Sequence, residues 1–436
     1  MISKREYARR RRDLMAMMEP NSIAVVACAP EKIRSKDTHY AYKQNTNLSY
    51  LCGFHEPGSV LVLIPGRVLG EFVLFCRDKD IVRETWDGYR EGPEGAVAHF
   101  AANDAFPIDD IDDILPGMLE GKSRVYYAIG KDVQFDRHLM GWVKDIREQK
   151  GSELTPPSEF VDLDHLVNEM RLIKSAAEVR LMRRAAEISA EAHCRAMKIS
   201  QPGLYEYQLQ AEIEHEFMSS GASSPAYTSI VGGGKNGCIL HYIENRDRLK
   251  SGDLVLIDAG CEYQDYAADI SRTFPVNGRF TAAQAAIYDV VLAAQTAAID
   301  LIGPGLEYNL ANEATIRVIT QGLVDLGILE GSVETLIAEG GYRDFYMHSA
   351  GHWLGMDVHD VGDYKIDNHW RVYEPGMVVT VEPGIYISPQ NKTVAAKWRG
   401  IAVRIEDDVL VTKTGNEDLT SGVPKTRDQI ELLMAS

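Results

Sequence analysis

Positive charge is scarce in this chain: 46 Lys and Arg stand against 64 Asp and Glu over 436 residues, a formal net charge of −18. Nucleic-acid binding draws much of its affinity from basic side chains on phosphates, so this balance excludes a nucleic-acid partner. The one basic run, Arg9–Arg12, reads as the solvated face of an N-terminal helix with Tyr7, Leu14 and Met18 buried on the other side. Cysteine is sparse as well. The six are scattered without a C-x-x-C pair, which fits reduced thiols in a cytoplasmic protein. No apolar run reaches the ~18 residues of a membrane span. The N-terminal MISKREYARRRRDLMAMM lacks the apolar core of a signal peptide. There is no H-E-x-x-H, which removes a zincin mechanism, and no G-x-x-x-x-G-K-[ST] phosphate loop. One G-x-G-x-x-G occurs at Gly232, Gly234 and Gly237. The following CILHYIENRDRLKSGD reads as strand and turn, not as the helix a dinucleotide site requires, so a structural glycine-rich loop is expected.

What is present is an ordinary globular composition, 45% hydrophobic and 25% charged, long enough for two or three domains. In the first ~170 residues SIAVVAC, SVLVLIP, EFVLFCR and SRVYYAI read as strands alternating with helical stretches, which predicts a small α/β domain. The polar, proline-bearing GSELTPPSEF near residue 151 reads as a connection leading to the domain boundary. Ser175 and Glu178 have capping-box spacing and open a long helix with an apolar stripe at Val179, Met182, Ala186 and Ala190. A second helix is expected over Glu206 to Phe217, then short strands, helices between about Ala282 and Leu326, and strands again. Mixed helices and antiparallel strands make this half α+β.

The chemistry is concentrated in that half. LVLID ends an apolar run in Asp258, and Asp269 follows eleven residues on. A hairpin turning around Glu262 to Asp265 would bring both acids to one side of facing strands. Each could instead be a solvated carboxylate. Glu382 and Glu406 interrupt the apolar runs VVTVE and IAVRIE, where an unpaired carboxylate is expensive to bury. Arg404 is two residues from Glu406 and would share its face of a strand, so a plain Arg–Glu ion pair is the competing reading. His348, His352 and His359 fall within twelve residues amid Gly351, Gly355 and Gly362, and favour a site. Four ionised carboxylates repel one another unless cations share them, and two divalent ions can activate a water for hydrolysis. Oxygen donors with one imidazole suit manganese best, with cobalt or zinc possible.

The order Asp258, Asp269, His352, Glu382, Glu406, with LVLIDAGCEYQDYAADISRTFPVNG, HSAGHWLGMDVHDVG, VVTVEPGIYI and GIAVRIEDDVLV around them, resembles the pita-bread metallopeptidases. It is most similar to the bacterial aminopeptidase P family, over nearly the whole chain. The resemblance implies a smaller α/β N-terminal domain over residues 1–172 and an α+β pita-bread catalytic domain over 173–436. It implies two metal ions per subunit held by those five residues, with Asp269 and Glu406 bridging. The implied reaction removes an N-terminal residue when proline follows it, by attack of a metal-bridging hydroxide. His241, His348 and His359 would meet the substrate, His359 steadying the carbonyl oxygen. Glu382 would pass a proton to the leaving nitrogen. Arg404, counted with the catalytic groups, and Tyr386, counted with the substrate contacts, would fix ligand orientation. Trp86, in ETWDGYREG, would reach a neighbouring subunit's site in a homotetramer. Two other readings stand beside this one: a prolidase restricted to Xaa-Pro dipeptides, and a pita-bread binding module without catalysis. The chain departs from its relatives at Ser349–Gly351 and over Asp363–Arg371, and these stretches leave subsite preference open.

Overall fold

The computed structural model describes residues 1–149 and 155–436. The described chain forms two compact units, Ile2–Arg171 and Leu172–Ser436, the second joined by Met1. Of GSELTPPSEF, residues 151–154 lie outside the described residues. Glu159–Val161 is a strand that pairs with Arg124–Tyr126 inside the first unit. The units therefore divide at Arg171/Leu172, within the helix Leu163–Leu172.

The first unit is built on one six-stranded sheet. Its order is Asp104–Pro107, Phe72–Cys76, Val60–Leu63, Ser22–Ala27, Arg124–Tyr126 and Glu159–Val161. The four apolar runs legible in the sequence are four adjacent strands of it. Ile23, Val25, Val62, Val73 and Phe75 pack under Leu115, Leu119, Leu139, Trp142 and Ile146 from helices. The N-terminal helix Lys4–Met17 departs from the expected solvated basic face. Leu14 and Met18 are buried as expected, but so are Arg10 and Arg11, 1% and 5% exposed. Arg10 donates to Tyr50 O and Arg11 to Leu51 O, both at 2.9 Å, satisfying carbonyls at the end of the helix Thr46–Cys52. Each guanidinium also lies 4.1 Å from a ring centroid, Tyr50 and Phe72 respectively. Arginine can be buried this way because its planar head accepts both a carbonyl and an aromatic face.

The second unit opens on the helix Ala176–Ile199, capped by Ser175 with the reciprocal Glu178 bond in place. Glu206–Ser219 packs beside it, and Ala282–Ile299 with Asn309–Asp325 form a second helical pair. Ala282–Ile299 has the length and mean hydropathy, 1.3, of a membrane-spanning segment. It is a core helix here: Ile287, Tyr288, Val291 and Ala294 join the main apolar cluster, and Gln295 donates to the buried Asp407 at 2.7 Å. The helices lie against short antiparallel strands. Leu254–Asp258 is flanked by Ile230–Gly233 and Ser271–Pro275. Val378–Val381 pairs with Asp407–Val411, and Gly384–Tyr386 with Ala402–Arg404. Strand alternation divides the faces. Val255, Ile257, Val403 and Ile405 point into the helical core, and Leu256 belongs to a separate small cluster with Tyr386 and Ala402. Asp258, Arg404 and Glu406 are thereby sent to the side away from the helices, where a cavity opens.

The stretch after Gly237 differs from expectation. A 3₁₀ turn spans Gly234–Cys238 and no strand follows until Leu254. The loop is structural, as anticipated. Glu206 Oε1 accepts from Gly233 N at 2.8 Å and Asn236 Nδ2 at 2.9 Å. A Cβ on Gly232 would lie 2.9 Å from Gly237 N, so the turn closes only over glycine.

Candidate metal centre

Asp258 ends its strand opposite Ser271, and Asp269 lies two residues before Ser271, on the same side. The expected hairpin is present: Cys261–Tyr263 returns as Tyr266–Ala267 through Gln264 and Asp265, both in the left-handed region. Gly260 allows the close return, since a Cβ there would lie 1.7 Å from Ala268 O. Glu382 directly follows the strand Val378–Val381, and Glu406 lies between Ala402–Arg404 and Asp407–Val411. His352 sits in a loop pinned to that same region: its backbone N donates to Thr380 Oγ1, and Thr380 N donates to His352 O. A Cβ on Gly351 would fall 1.8 Å from Thr380 O, so this approach also needs glycine.

Ligand atoms of Asp269, His352 and Glu406 all lie within 4.8 Å of one another. Asp258 and Glu382 line the same cavity of about 960 Å³, with His241, His348, His359 and Arg404. All five expected ligands thus line one cavity. Their electrostatics fit cations. Burial, then the charge of Asp258, holds the Asp269 carboxyl above its ordinary range. Burial and then Asp269 push Glu406 well up, and burial pushes Glu382 up to about 7. Divalent cations would relieve this repulsion, and oxygen-rich donors with one imidazole suit them. For His352, burial opposes the charged ring, but the carboxylates of Asp269 and Glu382 outweigh it and lift the group to about 9. Its Nδ1 lies 2.9 Å from Trp353 O, which can only accept, so Nδ1 carries the proton of the neutral ring. That leaves Nε2 facing Asp269 Oδ2 at 3.5 Å and Glu382 Oε1 at 3.7 Å, the arrangement a metal-ligating histidine needs.

Behind the wall runs a directed chain of hydrogen bonds. Arg404 does not pair with Glu406, which corrects the local ion-pair reading. Its Nη2 donates to Asp258 Oδ2 at 2.6 Å, its Nε to Ser271 Oγ at 2.8 Å and its Nη1 to Tyr386 Oη at 3.0 Å. Ser271 Oγ in turn donates to Glu406 Oε2 at 2.8 Å. Tyr386 Oη lies 2.9 Å from His348 Nε2, and His348 Nδ1 lies 2.9 Å from Ser349 O. Burial drives the His348 ring down to about 4, so it is neutral. Nδ1–H therefore donates to Ser349 O, and Nε2 accepts from Tyr386. Tyr386 is buried with its hydroxyl used on both sides, so it supports the wall from behind. The His359 ring centroid lies 4.2 Å from that of His352, and burial and then His352 hold His359 below its ordinary range. Trp86 belongs to the first unit, 82% exposed on the helix Ile81–Asp87.

Sequence reading missed two groups. The Tyr227 hydroxyl lies 2.6 Å from Asp258 Oδ1 and 2.5 Å from Asp269 Oδ1. Burial, then both acids, push this phenol well up, so it keeps its proton and shares it between them. Asp408 Oδ2 accepts from Asp269 N at 3.1 Å. A lone tyrosine in a loop carries no local signal, whereas the last acid of IEDD could have been noticed.

A cluster of carboxylates with one imidazole, set at or beside strand ends of an α+β unit that follows a separate α/β unit in the sequence, defines a metallopeptidase of the pita-bread fold. The model of metallopeptidase family M24 matches residues 180–413, and that of the aminopeptidase P N-terminal domain matches residues 7–126. The Xaa-Pro aminopeptidase of Escherichia coli K12 is 47% identical over 100% of this chain and 98% of its own length. The solved aminopeptidase PepP of Pseudomonas aeruginosa superposes with a TM-score of 0.99 at 61% identity, over 100% of this chain and 98% of that one. A zinc-substituted E. coli aminopeptidase P in complex with product superposes with a TM-score of 0.97 at 47% identity, over 100% and 98%. The chain belongs to metallopeptidase family M24, in the bacterial aminopeptidase P branch.

Proposed function

We propose that the protein is a two-metal aminopeptidase that hydrolyses the first peptide bond of chains with proline in second place. The observation that carries this reading is the convergence of five ligand side chains with His241 and His359 on one cavity. Asp258, Asp269, His352, Glu382 and Glu406 would hold the ions. When bound, the ions supply an acidified water and polarise the scissile carbonyl. The chain does the rest. His359 donates to the carbonyl oxygen as charge develops there. Glu382 takes a proton and passes it to the leaving proline nitrogen. Arg404, Ser271 and Tyr227 hold Asp258, Glu406 and Asp269 in place. His241 and His348 flank the bound peptide. Proline offers no backbone N–H, so the pocket must read the ring.

Manganese is the metal we propose, from the oxygen-rich donor set; the zinc-substituted relative makes zinc the alternative. The six unpaired cysteines support a reducing, cytoplasmic setting. The exposed Trp86 supports a homotetramer in which it touches substrate in the neighbouring subunit. After manganese loading, Xaa-Pro-Yaa should be cut between its first two residues, Xaa-Ala-Yaa should be nearly inert, and Xaa-Pro alone should be poor. Efficient turnover of dipeptides only would make the protein a prolidase. No turnover with full metal occupancy would make it a binding module.

A further inference from the structure

The segment Asp363–Arg371 is a built part of the cavity, which Asp363, Tyr364, Lys365 and Trp370 line. Lys365–Ile366 and His369–Trp370 form a hairpin in which Lys365 stands directly opposite Trp370. Its two turn residues, Asp367 and Asn368, are both left-handed, with φ 49° and 66°. This is the tight turn whose twist matches its strands and fixes their register. Register therefore places the Lys365 ammonium over the Trp370 ring, 4.1 Å from the centroid. The hairpin is anchored at its base. Tyr364 stacks on the fully buried Trp353 at 5.4 Å and 7°, and Trp370 stacks toward Tyr308 at 6.2 Å. Tyr308 donates to Gly351 O at 2.6 Å, beside the ligand His352. The arm is thus tied to the metal wall through aromatic packing.

Charge gives the arm its meaning. Among the described residues, Lys365 and Arg404 are the Lys or Arg side chains lining the cavity, and Arg404 is buried and engaged by Asp258, Ser271 and Tyr386. Lys365 is exposed. In a chain of net charge −18, with an acidic cavity wall, it is the cation left to meet an anion entering with the substrate. The acidic wall suits the peptide's N-terminal ammonium. A peptide with a free C-terminus brings a carboxylate at its other end.

Resting on the reaction proposed above, we infer that this hairpin is a specificity arm on which Lys365, braced on Trp370, receives a carboxylate carried beyond the proline. The carboxylate could be the free C-terminus of a tripeptide or an acidic side chain at the third position. Trp370 adds a flat face for the residue that bears it.

The test compares manganese-loaded wild type and Lys365→Met on Ala-Pro-Ala, its C-terminal amide, and Ala-Pro-Glu-amide. Exposed charge contacts of this kind contribute up to ~1 kcal/mol, about a fivefold change in affinity. Lys365→Met should raise KM for the free acid about threefold to fivefold more than for the neutral amide, with the effect on KM and not on kcat. Lys365→Arg should restore the difference. The same rise with the Glu amide would assign the arm to side chains as well; a rise with the free acid alone would assign it to the C-terminus. Equal effects on charged and neutral peptides, or none, would overturn the arm while leaving the reaction intact. No turnover of any of these peptides by wild type would overturn the reaction and the arm with it.

Discussion

Three side chains give tests at the scale of single residues. His359 faces the cavity and holds no place in the tight ligand cluster, so His359→Ala should retain its metals and lose on the order of 10²–10³ in kcat. Unaltered turnover, with metal content checked by elemental analysis, would make it structural. Tyr227 shares one proton between Asp258 and Asp269. Removing such a support of metal ligands typically weakens metal binding 10–100-fold, so Tyr227→Phe should release manganese at correspondingly lower chelator concentrations. Affinity equal to wild type would reduce Tyr227 to packing. His193 lies far along the chain from the ligands, fully buried, with Nε2 on Ala259 O and Nδ1 unpartnered. Burial depresses its pKa from 6.5 to about 4. Above pH 6.5 the ring is neutral folded or unfolded. Between 6.5 and 4 the unfolded chain takes a proton that the fold refuses, so stability falls as pH falls, by on the order of 3 kcal/mol in all. His193→Gln, whose amide can still donate to Ala259 O, should lose less stability than wild type between pH 7.5 and 4.5 in urea melts. Parallel losses would clear His193 of the effect.

Elements are held to the site by a few long-range contacts, and one of these is a fully buried ion pair. Lys174, just before the helix Ala176–Ile199, donates to Asp360 Oδ2 at 2.9 Å, with both side chains 1% exposed. Asp360 adjoins His359, so the pair ties the His359 loop to the start of that helix. Removing one partner of a buried ion pair is costly, so Lys174→Met should destabilise by about 3–5 kcal/mol. Combined with Asp360→Leu, the total loss should be smaller than the sum of the two single losses, since both variants remove the same pair. Chemical denaturation of the single and double variants decides the point: a single variant as stable as wild type would mean the pair holds nothing. The elements themselves were largely legible. Four apolar runs are four strands, and the Ser175–Glu178 box opens its helix, because both signals are local. The strand expected in CILHYIEN is absent because Glu206, from a helix earlier in the chain, captures the loop backbone at Gly233 and Asp247 instead.

At the scale of the whole molecule the question is assembly. The helix Ile81–Asp87 buries none of its residues, and Ile81, Trp86 and nearby Tyr89 are 83%, 82% and 96% exposed. Clustered exposed apolar groups are costly in water and mark contact surfaces. Light scattering should therefore show an oligomer, a tetramer by family resemblance, and Trp86→Ala should weaken tripeptide turnover with fold and metal content intact. A fully active monomer would end that reading.

The sequence by itself marked the candidate ligands, the apolar runs beside them and the caps that start the helices, since each of these signals depends on residue type and its immediate neighbours. Only the tertiary structure decided which groups meet. Arg404 is two residues from Glu406, yet it donates to Asp258, 146 positions away. Arg10 and Arg11 are buried because Tyr50, Leu51 and Phe72 come to them. Lys174 finds Asp360 across 186 positions, and Lys365 finds Trp370 only once a tight turn sets the register. Burial and pairing depend on distances through space, and the order of residues along a chain does not carry those distances until the core has closed.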